Sequence, residues 1–351
     1  MLRASREKEN PRGGDLRGFL HVKTGMDFAM YKEKEIVCLQ MGSRLCNGGI
    51  KMSKIAFIGT GIIGAGLAVN ALAAGNECTL YDVVDLQTAK DRIKGIFDTM
   101  VEAGAYTQEK ADAAYAKASF TNNLKEAVTD AVFIQEAVPE RIELKRSIFK
   151  QIQEITGSVP VISSTTTALM PSELQEGALY PERILVGHPY NPSYILPLVE
   201  IVAGKQTSQT TVDETKAMYD GWGKVSVICL KEVYGYIAQN VNWGVRDIAL
   251  KVVQDGICSP EDMDKAIMYG PGMRFPVTGQ LLTLAMGIDG GWKNLNPKYN
   301  GKPATEFDLW LDKELDKELA NRPEQIGNTL ESALKFRDKM LVAELKVQGL
   351  M

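Results

Sequence analysis

Histidine is nearly absent from this chain: among 351 residues only His21 and His188 occur. Any chemistry that needs an imidazole has almost no choice of residue. Cysteine is sparse too, with five residues at 38, 46, 78, 229 and 258 and no C-x-x-C pair. That spacing speaks against a zinc site or a disulfide framework, so no metal is expected and the thiols read as reduced, in a cytoplasmic compartment. Basic charge is not in excess, since 40 Lys and Arg face 44 Asp and Glu for a formal net charge of −4. Nucleic acid needs a basic field and is not an expected partner. No internal repeat is evident. What remains is 45% hydrophobic and 24% charged, the composition of an ordinary globular protein, and the length suits two domains.

Residues 1–51 stand apart. They hold ten Lys and Arg against six Asp and Glu, and no apolar run long enough for a signal peptide. The segment reads as a disordered extension or as an upstream start with the natural chain beginning at Met52. Strand character around Ile36–Leu39 keeps a structured alternative open.

Only one uncharged run is long, the 22 residues Ile55–Asn76. Five glycines interrupt it, so a strand (Lys54–Ile58), a glycine turn and a helix (Ile62–Ala74) explain it better than a membrane span. No membrane partner is expected. Gly59-Thr60-Gly61-Ile62-Ile63-Gly64 places G-x-G-x-x-G between that strand and helix. A second strand, Glu77–Tyr81, then ends in Asp82, eighteen residues beyond Gly64. This context turns a weak pattern into a dinucleotide fingerprint. Gly59 permits the tight turn, Gly61 lets the backbone approach a pyrophosphate, and Gly64 allows close helix–strand packing. The first helical turn, Gly61 to Ile63, offers N–H groups and a positive dipole end to the phosphates. Asp82 accepts from the adenosine ribose hydroxyls. Val83 and Val84 follow it, with no arginine for a 2′-phosphate, so NAD is expected over NADP.

Further strands are expected at Ala131–Gln135, Val159–Ser163, Ile184–His188, Leu198–Val202 and Lys224–Leu230. Helices are expected at Gln87–Glu102, Tyr106–Lys117, Glu140–Ile155 and Ser208–Trp222. The alternation predicts a doubly wound α/β domain with a Rossmann-type parallel sheet over residues 52–231. From 232 to 351 the pattern turns helical, clearest at Tyr236–Gln254, Pro260–Met268 and Glu324–Lys346. The Lys/Glu-rich stretch Asp308–Asn321 reads as a solvated helix face.

His188 ends a predicted strand, where doubly wound sheets face their ligand. Glu200, twelve residues on, sits in the apolar run L-P-L-V-E-I-V and must be paired or neutral. Together they suggest a dyad in which Glu200 orients the imidazole and His188 takes an alcohol proton. A core histidine beside a structural glutamate is the alternative. Ser163 to Thr167 follow another strand end, so their hydroxyls line the same crevice. Capping of a helix near Pro171 is the alternative there, strongest for Ser172.

With these residues assembled, the chain from Ser53 to about Leu350 resembles the 3-hydroxyacyl-CoA dehydrogenase superfamily. It is most similar to the branch holding L-carnitine dehydrogenase and lambda-crystallin (L-gulonate 3-dehydrogenase). The strings that carry this are I-Q-E-A-V-P-E-R-I-E-L-K at 134–145, H-P-Y-N-P at 188–192, L-P-L-V-E-I-V-A-G-K-Q-T-S at 196–208 and G-M-R at 272–274. The resemblance implies an NAD-binding domain followed by a helical substrate and dimerisation domain, and hence a homodimer. Residue by residue, His188 matches the family's base, Glu200 its carboxylate partner and Asn191 an asparagine bonding substrate and cofactor. Glu140 and Lys145 match cofactor-contacting positions. Thr167 stands where the family usually has a serine. Gln239 stands where it commonly has an asparagine, with Asn240 next to it, and both stay candidates for a further polar contact.

The substrate is expected to be a small 3-hydroxycarboxylate, L-carnitine first and L-gulonate next. The stretch Gly95–Tyr106 lacks the lysine that a CoA 3′-phosphate would favour, although Lys94 precedes it. A free carboxylate needs a cation, for which Arg274 is the candidate. An arginine that ties helices together is the alternative. The trimethylammonium group of carnitine would need aromatic faces, and Tyr190, Tyr194, Tyr236, Trp243 and Phe275 lie in the implicated segments. A 3-hydroxyacyl-CoA substrate such as 3-hydroxybutyryl-CoA, or a non-catalytic NAD-binding role, remains as a second and third reading.

Overall fold

The computed structural model describes residues 54–351. The extension read at 1–51, its alternative strand and the start at Met52 lie outside the described residues. Backbone contacts divide the chain between Glu232 and Val233 into two compact units, and each is described by itself.

The first unit is an eight-stranded sheet in the order β3-β2-β1-β4-β5-β6-β7-β8. Its strands are β1 (Lys54–Ile58), β2 (Glu77–Tyr81), β3 (Ala118–Thr121), β4 (Phe133–Glu136), β5 (Val161–Ser164), β6 (Ile184–Pro189), β7 (Leu198–Ala203) and β8 (Val225–Cys229). Its helices are α1 (Ile62–Ala73), α2 (Leu86–Glu102), α3 (Gln108–Tyr115), α4 (Leu124–Val128), α5 (Ile142–Thr156), α6 (Pro171–Leu174) and α7 (Gln209–Gly221). β1 is central and almost wholly buried, which is why it reads as a continuous apolar run rather than an alternation. Phe133, Tyr219 and Trp222 meet edge-on at 5.3–5.7 Å between centroids and lock α7 onto the sheet. Such contacts add about 0.5–1.5 kcal/mol per pair to what burial contributes.

Four details correct the sequence reading. β6 and β7 pair antiparallel, whereas Leu198–Val202 was expected in a parallel sheet. The connecting segment 190–197 explains this, since a parallel crossover takes about a dozen residues or more. β3 was not foreseen, because A-S-F-T at a sheet edge holds no apolar run. The helix expected from Glu140 starts at Ile142 after Arg141 at its N-cap, which leaves Glu140 on a loop. Ser172 does not cap α6; Met170 holds that position, and the Ser172 hydroxyl donates to Glu232 at 2.6 Å.

The second unit is helical, with no strand among the described residues. It comprises α8 (Ala238–Gln254), α9 (Pro260–Tyr269), α10 (Pro271–Thr278), α11 (Gln280–Met286), α12 (Leu295–Asn300), α13 (Glu306–Ala320) and α14 (Leu330–Val347). The expected solvated face at 308–321 is half right. Leu311 and Leu315 of α13 pack on Leu282, and Asp308 is buried as acceptor for Trp292, Asn296 and Thr305. The helix expected from Glu324 begins at Leu330, because Gly327 turns the chain at φ +84° and Thr329 caps the new start. Among the described residues no helix is long and apolar enough to cross a membrane.

Candidate active site

The loop from β1 to α1 is shaped by contacts only glycine permits. Gly59 has φ +102°, and a Cβ there would lie 2.6 Å from the Ala137 carbonyl oxygen. A Cβ on Gly64 would lie 2.2 Å from the Gly59 carbonyl oxygen, so α1 packs directly against the turn. Gly61 differs, since a Cβ there would meet nothing within 4 Å. Its open side faces a cavity of about 390 Å³ lined by Gly61, Ile62, Ile63, Glu140, Thr165 and Thr167, among others. No side chain caps α1, so its first-turn N–H groups are left to a ligand. The cradle fits a pyrophosphate.

Asp82 stands beside this loop. Its Oδ2 accepts from the Thr60 N–H at 2.7 Å and the Thr60 hydroxyl at 2.6 Å, and its Oδ1 from the Val83 N–H at 2.7 Å. Partial burial pushes the carboxyl up, but the donors from Thr60, Val84 and Val83 outweigh that and hold it below the ordinary aspartate value. Arg92 donates to the Thr60 carbonyl. The carboxylate is thus anchored to the loop between β1 and α1.

At the far side of the sheet, antiparallel register sets His188 of β6 directly opposite Glu200 of β7. His188 Nδ1 lies 2.9 Å from Glu200 Oε2, both residues buried. A carboxylate only accepts, so Nδ1 is the donor of this pair. Nε2 lies 3.3 Å from the Thr167 hydroxyl, and Thr167 lines the cavity. Glu200 and Thr167 thus stand against the two ring nitrogens of His188, and Thr167 belongs to the cavity wall.

The Thr167 turn has its own anchor. Glu140 Oε1 accepts from the Thr166 hydroxyl and, at 3.2 Å, from the N–H groups of both Thr167 and Ala168. Burial pushes the Glu140 carboxyl up, yet the Thr166 hydroxyl, the Lys145 ammonium and the two backbone donors bring it below the ordinary value. Lys145 is only 1% exposed and is neither a solvent-facing lysine nor part of the cavity lining. It donates to Glu136 Oε1 at 2.7 Å and lies 3.5 Å from Glu140 Oε2. Glu136, fully buried at the end of β4, also accepts from the Ser164 hydroxyl at 2.6 Å.

Residues 54–233 match the family model of the 3-hydroxyacyl-CoA dehydrogenase NAD-binding domain. The chain belongs to the 3-hydroxyacyl-CoA dehydrogenase family. It is 38% identical to the L-carnitine dehydrogenase of Oceanobacillus iheyensis over 66% of this chain and 75% of that protein. It is 30% identical to the lambda-crystallin homolog of Homo sapiens over 84% of this chain and 96% of that one. Among solved structures it is similar to a 3-hydroxyacyl-CoA dehydrogenase from Archaeoglobus fulgidus, with a TM-score of 0.64 at 23% identity over 85% of this chain and all of that one. As a member of this family the protein is an NAD-dependent dehydrogenase acting on a CH–OH group, in the branch of the carnitine enzymes and lambda-crystallin.

In this dehydrogenase the structure brings His188, Glu200, Thr167 and Glu140 together in the first unit. Asn191, exposed, and Tyr190, half-buried, lie on the segment after β6. The second unit holds the remaining candidates. Asn240 donates to the carbonyls of Tyr234, at 2.8 Å, and Tyr236, securing a turn in which Tyr236 has φ +51°. Gln239, its neighbour, makes no side-chain hydrogen bond among the described residues. Arg274 is exposed on α10, with no ion pair among the described residues. Sequence reasoning missed Glu136, whose signal was a glutamate ending an apolar strand. It also missed Lys224, whose signal was a lysine just before one.

Proposed function

We propose that this dehydrogenase oxidises the 3-hydroxyl of a small free hydroxycarboxylate, L-carnitine first and L-gulonate next, to the 3-oxo acid. One observation carries the reading: Glu200 lies 2.9 Å from one nitrogen of His188, and the other nitrogen lies 3.3 Å from the hydroxyl of Thr167 in the cavity wall. Bound NAD supplies the hydride acceptor. His188 Nε2 takes the hydroxyl proton, and the Glu200 carboxylate balances the imidazolium that results. The Thr167 hydroxyl and the Asn191 amide hold the reacting oxygen, with Tyr190 nearby in sequence. Arg274 is the candidate bidentate partner for the substrate carboxylate, and Gln239 or Asn240 the candidate for a further polar contact. Asn240 has two donors already engaged, which favours Gln239.

Glu140 and Lys145 serve the cofactor in different ways. Glu140 faces it, and Lys145 acts from behind through Glu140. Residues 52–231 form the NAD-binding domain of this reading, and 232–351 the substrate and dimerisation domain of a cytoplasmic homodimer. The exposed Val241, Val245 and Ile248 of α8, spaced four and three residues apart, suit burial against a second copy.

The test is NADH formation with NAD and a panel of L-carnitine, L-gulonate, 3-hydroxybutyrate and 3-hydroxybutyryl-CoA. Turnover of a free acid that falls at least tenfold in Arg274→Glu supports the reading. Turnover of the thioester alone overturns it.

A further inference from the structure

Lys224 precedes β8, and its side chain is buried. Among the described residues no carboxylate lies within ion-pairing distance of it. Its ammonium donates instead to two backbone carbonyls, those of Ser193 and, at 3.2 Å, Leu196. Both belong to the segment 190–197 that joins β6 to β7. Burial brings the amine down to about 8, the mark of a cation held where charge is costly. Packing alone would be served as well by an apolar side chain.

The same segment is tied on its other side to α1. The Ser193 hydroxyl donates to the Ile63 carbonyl at 3.2 Å, and the Asn70 amide donates to the Tyr194 carbonyl at 3.2 Å. A Cβ on Gly66 would lie 2.2 Å from the Ser193 hydroxyl oxygen, so glycine is what lets the two approach. Ile63 lines the cofactor cavity. The segment that begins just after His188 and carries Asn191 is therefore gripped between the cofactor helix and one buried lysine.

We propose that Lys224 is a positioning residue for the reaction: by holding the Ser193 and Leu196 carbonyls it fixes the segment 190–197 against α1, and so sets where Asn191 stands relative to His188. This rests on the role given to Asn191 above. A misplacement of about 1 Å at a reacting group costs on the order of a hundredfold in rate. Removing the lysine breaks no hydrogen bond to a residue that lines the cofactor cavity.

The experiment is a double-mutant cycle in the full-length protein, with NAD and whichever alcohol of the panel is turned over fastest. Lys224→Met is expected to lower kcat by roughly 10- to 100-fold while NADH affinity, read by fluorescence titration, changes less than about twofold. In an Asn191→Ala background the same change is expected to lower kcat no further. Lys224→Gln, whose amide can still donate to one carbonyl, is expected to recover part of kcat. If Lys224→Met does not fold, Lys224→Gln replaces it in the cycle, and its smaller loss of kcat is expected to vanish likewise in the Asn191→Ala background. Multiplied losses in the double variant, or a parallel fall in NADH affinity, would overturn the coupling and leave the Asn191 role intact. Full turnover in Asn191→Ala would overturn that role and the coupling with it.

Discussion

Two buried carboxylates of the first unit, Glu200 and Glu136, face the same physical problem and solve it differently. Each lies on a strand inside the sheet and needs a donor to stay charged. Glu200 meets His188, a group with two nitrogens, so the pair leaves one nitrogen beside Thr167 at the cavity. Glu136 meets Lys145, and between them they engage the Ser164 hydroxyl, the Val138 backbone and Glu140. That second pair turns no reactive atom outward. The difference is one of reach: His188 extends from its carboxylate to a hydroxyl in the cavity wall, whereas Lys145 spends its ammonium on Glu136, Glu140 and the Val138 carbonyl.

The largest effect is expected at His188. His188→Gln is expected to lower kcat by at least about a hundredfold, the usual reach of a general base, while NADH titrates with nearly unchanged affinity. Turnover near the wild-type level would remove His188 from the chemistry. The structural member should fail differently. Glu136→Ala strands a buried ammonium, which costs about 3–5 kcal/mol, and is expected to lower the melting temperature by roughly 10 °C. Replacing Glu136 and Lys145 together by methionine should cost less than either single change. A double variant worse than both singles would contradict this account of the pair.

Smaller effects sharpen the contrast at the loop. Asp82→Ala is expected to raise the KM for NAD by about tenfold with kcat little changed, since ribose binding is uniform along the reaction. The same change leaves the donors of Thr60, Val83 and Val84 open to a 2′-phosphate, so the preference for NAD over NADP should narrow. An unaltered preference would show that Asp82 does not set it. The smallest effect is a pH dependence. The Lys224 amine is lowered from 10.5 to about 8 by burial, so between those values the unfolded chain holds more protons than the folded one. Stability from this group therefore rises with pH across that window. Wild type should gain in melting temperature on Lys224→Met between pH 8 and 10, and a constant difference would refute the shift.

Much of this was legible in the chain itself, and the reasons are local. β1, β2 and α1 were read almost to the residue, because buried parallel strands are apolar runs and G-x-G-x-x-G constrains backbone within a few residues. The edge strand β3 and the helices between 271 and 300 were not, since neither carries a periodic apolar signal of sufficient length. Lys145 was legible as a matched position but not as a buried one, because its partner Glu136 lies nine residues away on another element.

By itself the sequence determined the dinucleotide loop, the expectation of NAD and the identity of the only histidine in the described chain, each a matter of residue type and short-range spacing. Tertiary structure decided the rest. The short 190–197 segment forces β7 back antiparallel, and only that register sets Glu200 opposite His188 rather than along a parallel neighbour. Thr167 reaches the same imidazole because β5 lies beside β6 in the sheet, and Lys224 reaches the turn because β8 lies beside β7. Hydrogen bonds act over about 3 Å, and which distant residues come within that reach is set by strand order and register, not by distance along the chain.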